Sequence, residues 1–413
     1  MIFRDSKKRW WFRTVCLTCL GAAILAGWIW GGWRQPTTEE MNRLCLEAAR
    51  KQQWTTLQEQ GERWAASEPE NGKAWMYVAQ AMEQQQKFDE AAKCLTRIPA
   101  SAPEADSAQI ARMELAFGPR NRAEDGAIIC ETILKQNPQS KVAQQRLIFF
   151  LAMSLQRHHL QKQIRAAIQS GSEPREAYVY LFFADSLHFS NGASWNGQWL
   201  QGDPQSELFE VAQAIFIAQT LDTSISMDDR EAAQSARNAL ARKGPVLDRL
   251  LKRYPHNIEL LAYQLRESVK SGTVGRALKL LSQAPVESES DGRFWRYKGW
   301  IHAQRGEEIA AEDAYHRALE LNPLDWGTRH FLAELRQRQQ RFDDAERLRE
   351  LVSRANELRR VLHSAPSASE VPPAILGKLA RYALDCGDKQ MADALQRRLQ
   401  QFSPLNRNAL RTN

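Results

Sequence analysis

A fixed spacing constrains this chain more than anything else in it. Ala277, Ala311 and Ala345 stand 34 residues apart, Pro69 and Pro103 keep the same interval, and Pro138 follows 35 residues later. The phrase Lys87-Phe88-Asp89-Glu90-Ala91-Ala92 returns as Arg341-Phe342-Asp343-Asp344-Ala345-Glu346. Independent helices have no reason to hold a period, so the chain is expected to be copies of one helical unit. A lone helix pair cannot bury its apolar face, whereas stacked pairs bury a continuous core. One continuous array is therefore expected, where 413 residues would otherwise indicate two or three domains.

The clearest copy covers residues 294–323. Two helical patterns flank a polar turn at Arg305-Gly306-Glu307, and Trp295, Gly299, Ala311, Tyr315, Ala318 and Pro323 recur at set offsets. Gly299 and Ala311 let two antiparallel helices approach closely, Trp295 and Tyr315 fill the space between them, and Pro323 ends the second helix. Trp75, Ala79, Ala91 and Pro103 occupy matching places in an earlier copy, and Ala277 and Ala345 in the flanking ones. On these residues the chain resembles the tetratricopeptide-repeat superfamily. The resemblance implies an all-α solenoid of about ten helix pairs, a right-handed superhelix and a groove that binds protein or peptide partners. Units are placed at 38–71, 72–105, 107–140 and 141–174, then an enlarged one at 175–223, then 224–257, 258–291, 292–325 and 326–359. A Ser/Ala/Pro-rich connector at 360–372 leads to a terminal pair at 373–406, and the specific matches are 72–105 and 258–359.

The net charge of +7 is unevenly placed. Residues 1–34 hold six basic side chains and one acidic, which leaves an excess of only two for the remainder. Phosphate binding needs a sustained basic surface, so a nucleic-acid partner is not expected. The basic flank, residues 1–13, precedes twenty uncharged residues, 14–33, with tryptophans at both edges. About 30 Å of helix crosses a bilayer core, and the positive-inside rule would leave the N-terminus cytoplasmic. The sequence thus predicts a single-pass signal-anchor in an inner (plasma) membrane with an extracytoplasmic solenoid. A cleaved signal peptide is the alternative; the apolar run continues past Gly21-Ala22-Ala23, beyond where such a peptide turns polar.

Two candidate sites stand out. Members of the superfamily line their groove with the first helix of each pair. Carried over to the well-matched units, the groove positions are Arg266, Lys270, Arg293, Arg296, Trp300, His330, Glu334 and Arg338. The basic and aromatic character suits an acidic peptide or a terminal carboxylate, although the Asn used by carboxylate-clamp relatives is missing. The competing explanation is that these cations solvate helix faces and pair with nearby acids. The second candidate is an apparent insertion loop at 188–204, rich in Gly, Asn and Ser, with Trp195 and Trp199. Exposed, the two rings could stack on a sugar or envelope polymer; folded back, they would plug a gap between helices.

Metal and enzyme chemistry leave little trace. Cys45, Cys94, Cys130 and Cys386 are scattered over four units with no ligand-like spacing, and no phosphate-loop, nucleophile-elbow or His-Glu-x-x-His motif occurs. Neither a cofactor nor a metal site nor a catalytic set is expected. The functional expectation is an anchored scaffold or adaptor for protein partners, with carbohydrate recognition at Trp195 and Trp199 as the alternative.

Overall fold

The computed structural model describes residues 36–224, 244–365 and 367–401, and among them every regular element is helical. Most of these helices form antiparallel pairs of one design. The first helix opens on a residue whose side chain accepts from its own first turn: Thr37 from Glu40 N, Asn71 from Lys73 N and Ala74 N, Asn257 from Leu260 N, Asp291 from Arg293 N, and Asp325 from Thr328 N. Such caps satisfy amides that the helix itself leaves unpaired. They stand 34 residues apart within each run, so the repeat is written in the caps as well as in the core alanines.

The turns inside the pairs share a second device. One residue, two after the first helix, takes a left-handed backbone: Gln52 (φ 55°), Gln86 (φ 61°), Leu155 (φ 56°), Gly272 (φ 68°), Gly306 (φ 76°), Gln340 (φ 60°) and Gly387 (φ 85°). The geometry of the turn is therefore constant although its residue is not. Where a side chain is present, the β-carbon crowds the following carbonyl.

The helices separate into two units, Met1–Ala108 and Gln109–Asn413. The first contains α1 (Thr38–Arg50), α2 (Trp54–Ser67), α3 (Gly72–Gln84) and α4 (Phe88–Leu95). Met41, Cys45, Leu57, Trp64, Ala74 and Ala81 make its core. The boundary falls inside α5 (Ala105–Phe117). The second unit continues with α6 (Ala123–Gln136), α7 (Lys141–Met153), α8 (Arg157–Ser170), the short α9 (Ala177–Phe182), a 3-10 turn at Ala184–Ser186, α10 (Gly192–Gly202) and α11 (Glu207–Ser224). Residues 244–253 are helical. Then come α12 (Ile258–Lys270), α13 (Val274–Leu281), a 3-10 turn at Val286–Ser290, α14 (Gly292–Gln304), α15 (Glu308–Leu321), α16 (Trp326–Arg338), α17 (Phe342–His363), α18 (Pro373–Asp385) and α19 (Lys389–Gln401).

The pair α14–α15 shows why its residues recur. A β-carbon on Gly299 would sit 2.6 Å from the Tyr315 ring and 3.1 Å from the Ala311 carbonyl, so glycine is what admits the buried tyrosine. Ala79, Ala91, Ala277, Ala311, Ala318 and Ala345 are all buried. Pro103 lies in the turn before α5, and Pro323 follows the end of α15. Trp75 and Trp295 depart from expectation. Each is half-buried and donates from its indole nitrogen to a carbonyl six residues back, Pro69 O at 2.9 Å and Glu289 O at 2.7 Å. They fasten the turn before the helix; Tyr315 alone fills the space inside the 294–323 pair.

Two expectations are corrected. The apparent loop at 188–204 is mostly helix: α10 covers Gly192–Gly202. Its glycines serve close packing. A β-carbon at Gly192 would meet the Phe216 ring at 2.6 Å, and one at Gly202 would meet the Asn121 carbonyl at 1.9 Å. Buried Asn196 donates to Met153 O and Gly192 O, both at 2.8 Å. The inner-membrane placement with an extracytoplasmic solenoid is also overturned. Among the described residues no helix is long and apolar enough to cross a membrane. The longest, α17 at 22 residues, is charged throughout its length. Residues 1–13 and 14–33, on which the anchor was placed, lie outside the described residues.

The turn geometry gives glycine-to-alanine changes opposite signs. Gly306 is left-handed, so Gly306→Ala is expected to cost about 1–2 kcal/mol. Gly275 lies inside α13 with open space where a β-carbon would go, so Gly275→Ala is expected to stabilise by ~0.5–1 kcal/mol. Thermal unfolding followed by circular dichroism checks both; equal signs would contradict the turn assignment.

Candidate functional site

The expected groove cations do not share one environment. Arg293 and Arg296 lie on α14 and are 4% and 8% exposed, and each is ion-paired with two carboxylates. The Arg293 guanidinium donates to both Glu259 oxygens at 2.7 and 2.8 Å and to both Asp291 oxygens, the closest at 2.6 Å. Glu259 also receives Arg157 Nη1 at 2.6 Å and the Arg157 amide at 3.1 Å, while Arg157 Nη2 donates to Leu187 O. Arg296 Nη1 reaches both Asp325 oxygens at 2.8 Å and Asp185 Oδ2 at 2.7 Å. Thr328 donates its hydroxyl to Asp325. Arg329 donates to Asp325 O at 3.3 Å and to Cys386 O at 3.2 Å. Asp388, which also accepts from the Met391 amide, takes both Arg165 nitrogens at 2.6 Å.

These bonds close a circuit. It starts on α8 at Arg157, passes through α12, α14, the 184–187 segment and α16 to the α18–α19 turn, and returns to α8 at Arg165. Three of its acids, Asp291, Asp325 and Asp388, also cap helix starts. The face expected to hold a peptide carboxylate thus already holds carboxylates of its own chain. Arg293 and Arg296 are corrected from ligand-facing to structural, because a desolvated guanidinium is tolerable only when fully paired. Trp300, 7% exposed, is corrected likewise: it packs with Leu261, Leu265, Phe294 and Tyr297.

The electrostatics follow from this pairing. Burial works to raise the carboxyls of Glu259 and Asp291, but Arg293 foremost outweighs it and both end below their ordinary values. Burial opposes the charge on Arg293 and Arg296, yet the facing acids push both well up. Asp185 goes the other way: burial raises its pKa more than Arg296 lowers it, and Asp325 adds repulsion.

The remaining groove positions are on the surface. Arg266 lies over the Tyr263 ring at 4.6 Å and 3.4 Å from Glu267, and Lys270 is 3.0 Å from the same Glu267. His330 is 3.3 Å from Glu334, and Arg338 donates to Ala303 O at 3.1 Å. Trp195 and Trp199 do not form a sugar platform. Trp199 is 2% exposed against Phe150 and Phe209, and half-buried Trp195 meets Phe149 edge-on at 5.5 Å.

On the other side of α14 the second unit opens. Between α13, the 286–290 turn and α14 lies a cleft of about 500 Å³. Leu281, Ala284, Pro285, Phe294 and Ile301 line it; Leu278 (37% exposed) and Val286 (80%) stand at its edge. Trp295, Lys298, His302 and Arg305 follow one face of α14 along it, with the Lys298 ammonium 4.6 Å from the Trp295 ring centre. His302 pairs with Glu307, and Arg305 is 3.8 Å from the same carboxylate. Among the described residues no group of three or more metal-ligating side chains comes together. Burial pushes the thiols of Cys45 and Cys130 up to about 11 and about 12, which leaves them as unreactive core groups.

Part of the circuit was within reach of the sequence. Asn257, Asp291 and Asp325 recur at 34-residue spacing just before the helices, as caps do. Arg157, Asp185 and Glu259 carried no local signal, since their partners lie up to 111 residues away.

No protein-family model matches the chain, and no curated protein matches it. Solved structures with which it shares similarity include a tetratricopeptide repeat protein from Parabacteroides merdae, at 13% identity and TM-score 0.24 over 70% of this chain and 98% of that one. Yeast Tom70 aligns at 14% identity and TM-score 0.27 over 98% and 93%. A human IFIT1 dimer with m7Gppp-AAAA aligns at 14% identity and TM-score 0.31 over 89% and 77%. Superpositions this loose carry no argument, and the helix-pair architecture stands on the caps, turns and packing described above.

The depressed carboxyls make the circuit acid-sensitive. Their stabilisation is complete above the ordinary values of 4.5 for Glu259 and 3.8 for Asp291 and is lost as pH falls through the lower folded values. Removing the shared cation leaves buried Asp291 without a cation and Glu259 with Arg157 alone, so Arg293→Ala is expected to cost about 3–5 kcal/mol at neutral pH. The deficit against wild type should shrink as pH drops below 4, where those acids become protonated. Urea unfolding of both proteins across pH 3–7 checks this; a deficit independent of pH would remove the ionic explanation.

Proposed function

We propose that this chain is a helical-repeat scaffold that binds a protein partner through the cleft between α13 and α14. The observation that carries the proposal is the contrast between the two faces of α14. One face has its arginines fully matched by carboxylates of the same chain. The other offers a concave apolar surface with a half-exposed indole and the Lys298 ammonium beside it. Concave sites with an apolar lining and a few placed polar groups are what ligands use, and aromatic anchors dominate binding energy at protein interfaces. The partner chemistry that fits is a segment presenting one or two apolar side chains to the cleft and an acid near Lys298.

Helical repeats bind by display, each pair offering a short stretch of rigid surface. The groove positions Arg266, Lys270, His330 and Arg338 would then act as a polar margin, because charges near the surface that already have partners within the chain add little affinity.

A photo-crosslinking residue placed at Val286 in the full chain is expected to give a discrete partner adduct in a native extract, and Trp295→Ala should reduce its yield at least tenfold. The same residue placed at Ile309 on α15 (81% exposed, outside the cleft) should give none of that adduct. Equal adducts from both positions, or indifference to Trp295→Ala, would refute the proposal.

A further inference from the structure

We infer a second, separate binding site in the second unit: an open basic cleft that takes an acidic peptide segment. It lies where the start of α7, the turn after α8 and the end of α19 converge, and has a volume of about 460 Å³. Its cations are Lys141, Arg175, Arg397 and Arg398; its acids are Glu173 and Glu176. Only part of this charge is used internally. Arg398 lies over the Tyr178 ring at 5.5 Å and 3.4 Å from Pro174 O. Glu173 is engaged by the Tyr178 hydroxyl at 2.6 Å. Lys141, Arg175 and Arg397 have no ion-pair partner among the described residues, although most arginines of this unit are matched.

The contrast matters because the chain supplies acids freely elsewhere. On the inner circuit Arg157, Arg165, Arg293 and Arg296 each have a carboxylate; around this cleft two glutamates face four cations. Like charges brought together without counter-charge repel, and an incoming anion relieves that repulsion as well as forming new bonds. The neutral lining narrows the ligand. Gln145 and Gln401 offer amides and Ser369 a hydroxyl, donors and acceptors suited to a peptide backbone. A bare phosphate would use the cations and leave those groups to water. Residues 402–413 contain Arg407 and Arg411 and no acidic side chain. Arginine's planar fork fits the two oxygens of a Glu or Asp side chain, so the occupant is an extended segment with two or more acidic residues. The inference does not depend on the α13–α14 cleft, which lies on different helices.

The test uses the full chain and a fluorescent, end-blocked peptide of alternating Glu and Ser, with its Gln/Ser counterpart as the neutral control. Anisotropy should show saturable binding of the acidic peptide that weakens as salt rises, and at least tenfold weaker binding of the neutral one. Arg175→Glu with Arg397→Glu should weaken acidic-peptide binding tenfold or more, and the milder Arg175→Gln with Arg397→Gln should weaken it in the same direction. Lys93→Glu with Arg63→Glu, in the first unit, should change it less than twofold. Circular dichroism confirms that each variant folds. Equal binding of the two peptides, or indifference to Arg175 and Arg397, overturns the inference. Displacement by inorganic phosphate as effective as by unlabelled peptide, at matched ionic strength, overturns the peptide assignment and leaves only an anion site.

Discussion

The second unit depends on carboxylates that do two jobs at once. Asp291 and Asp325 each accept from the amides that open a helix, and each holds a guanidinium from α14. A cap alone fixes where a helix begins. A cap that also grips Arg293 or Arg296 ties that helix start to a distant element, since Arg293 Nη1 also reaches Glu259 on α12 and Arg296 Nη1 also reaches Asp185 before α10. Local chain geometry is thereby tied to long-range packing. Buried ion pairs seldom add much net stability over apolar contacts of the same size. Their effect here is specificity: a slipped register would leave several charges buried without partners.

That arrangement decides where function can reside. In an open array of helix pairs the first helices would present their polar side chains to a ligand. Here the 184–187 segment and α8 already occupy the corresponding face of α12, α14 and α16, and α18–α19 joins them through Arg165 and Asp388. In the binding sites proposed above, recognition falls where the internal matching ends. The α13–α14 cleft is apolar because its side chains belong to the core between neighbouring pairs. The cleft by α7, the α8 turn and α19 is basic because four cations line it against two glutamates.

Particular residues show what could be read beforehand. The spacing of Ala277, Ala311 and Ala345 marks the pairs, and Gly299 with Tyr315 marks the closest approach between two helices; both are local, so both are legible. The left-handed turn residue is only half legible, announced by Gly272, Gly306 and Gly387 but hidden where Gln52, Gln86 or Leu155 takes the same backbone. Gly192, Asn196 and Gly202 misled for a related reason. A glycine that admits a neighbouring ring looks, in sequence, like a glycine that turns the chain, and only the position of Phe216 distinguishes them.

The sequence by itself determined the all-helical architecture and the interval of its pairs, because helix periodicity, caps and small-residue contacts act within 34 residues. It also supplied the arginines, though not their direction. Arg293 and Arg296 read as outward cations because a guanidinium's cost depends on whether a carboxylate is within reach, and Glu259 and Asp185 come within reach only through the tertiary fold. The tertiary structure therefore decided which charges are interior and which faces are already occupied by the chain itself.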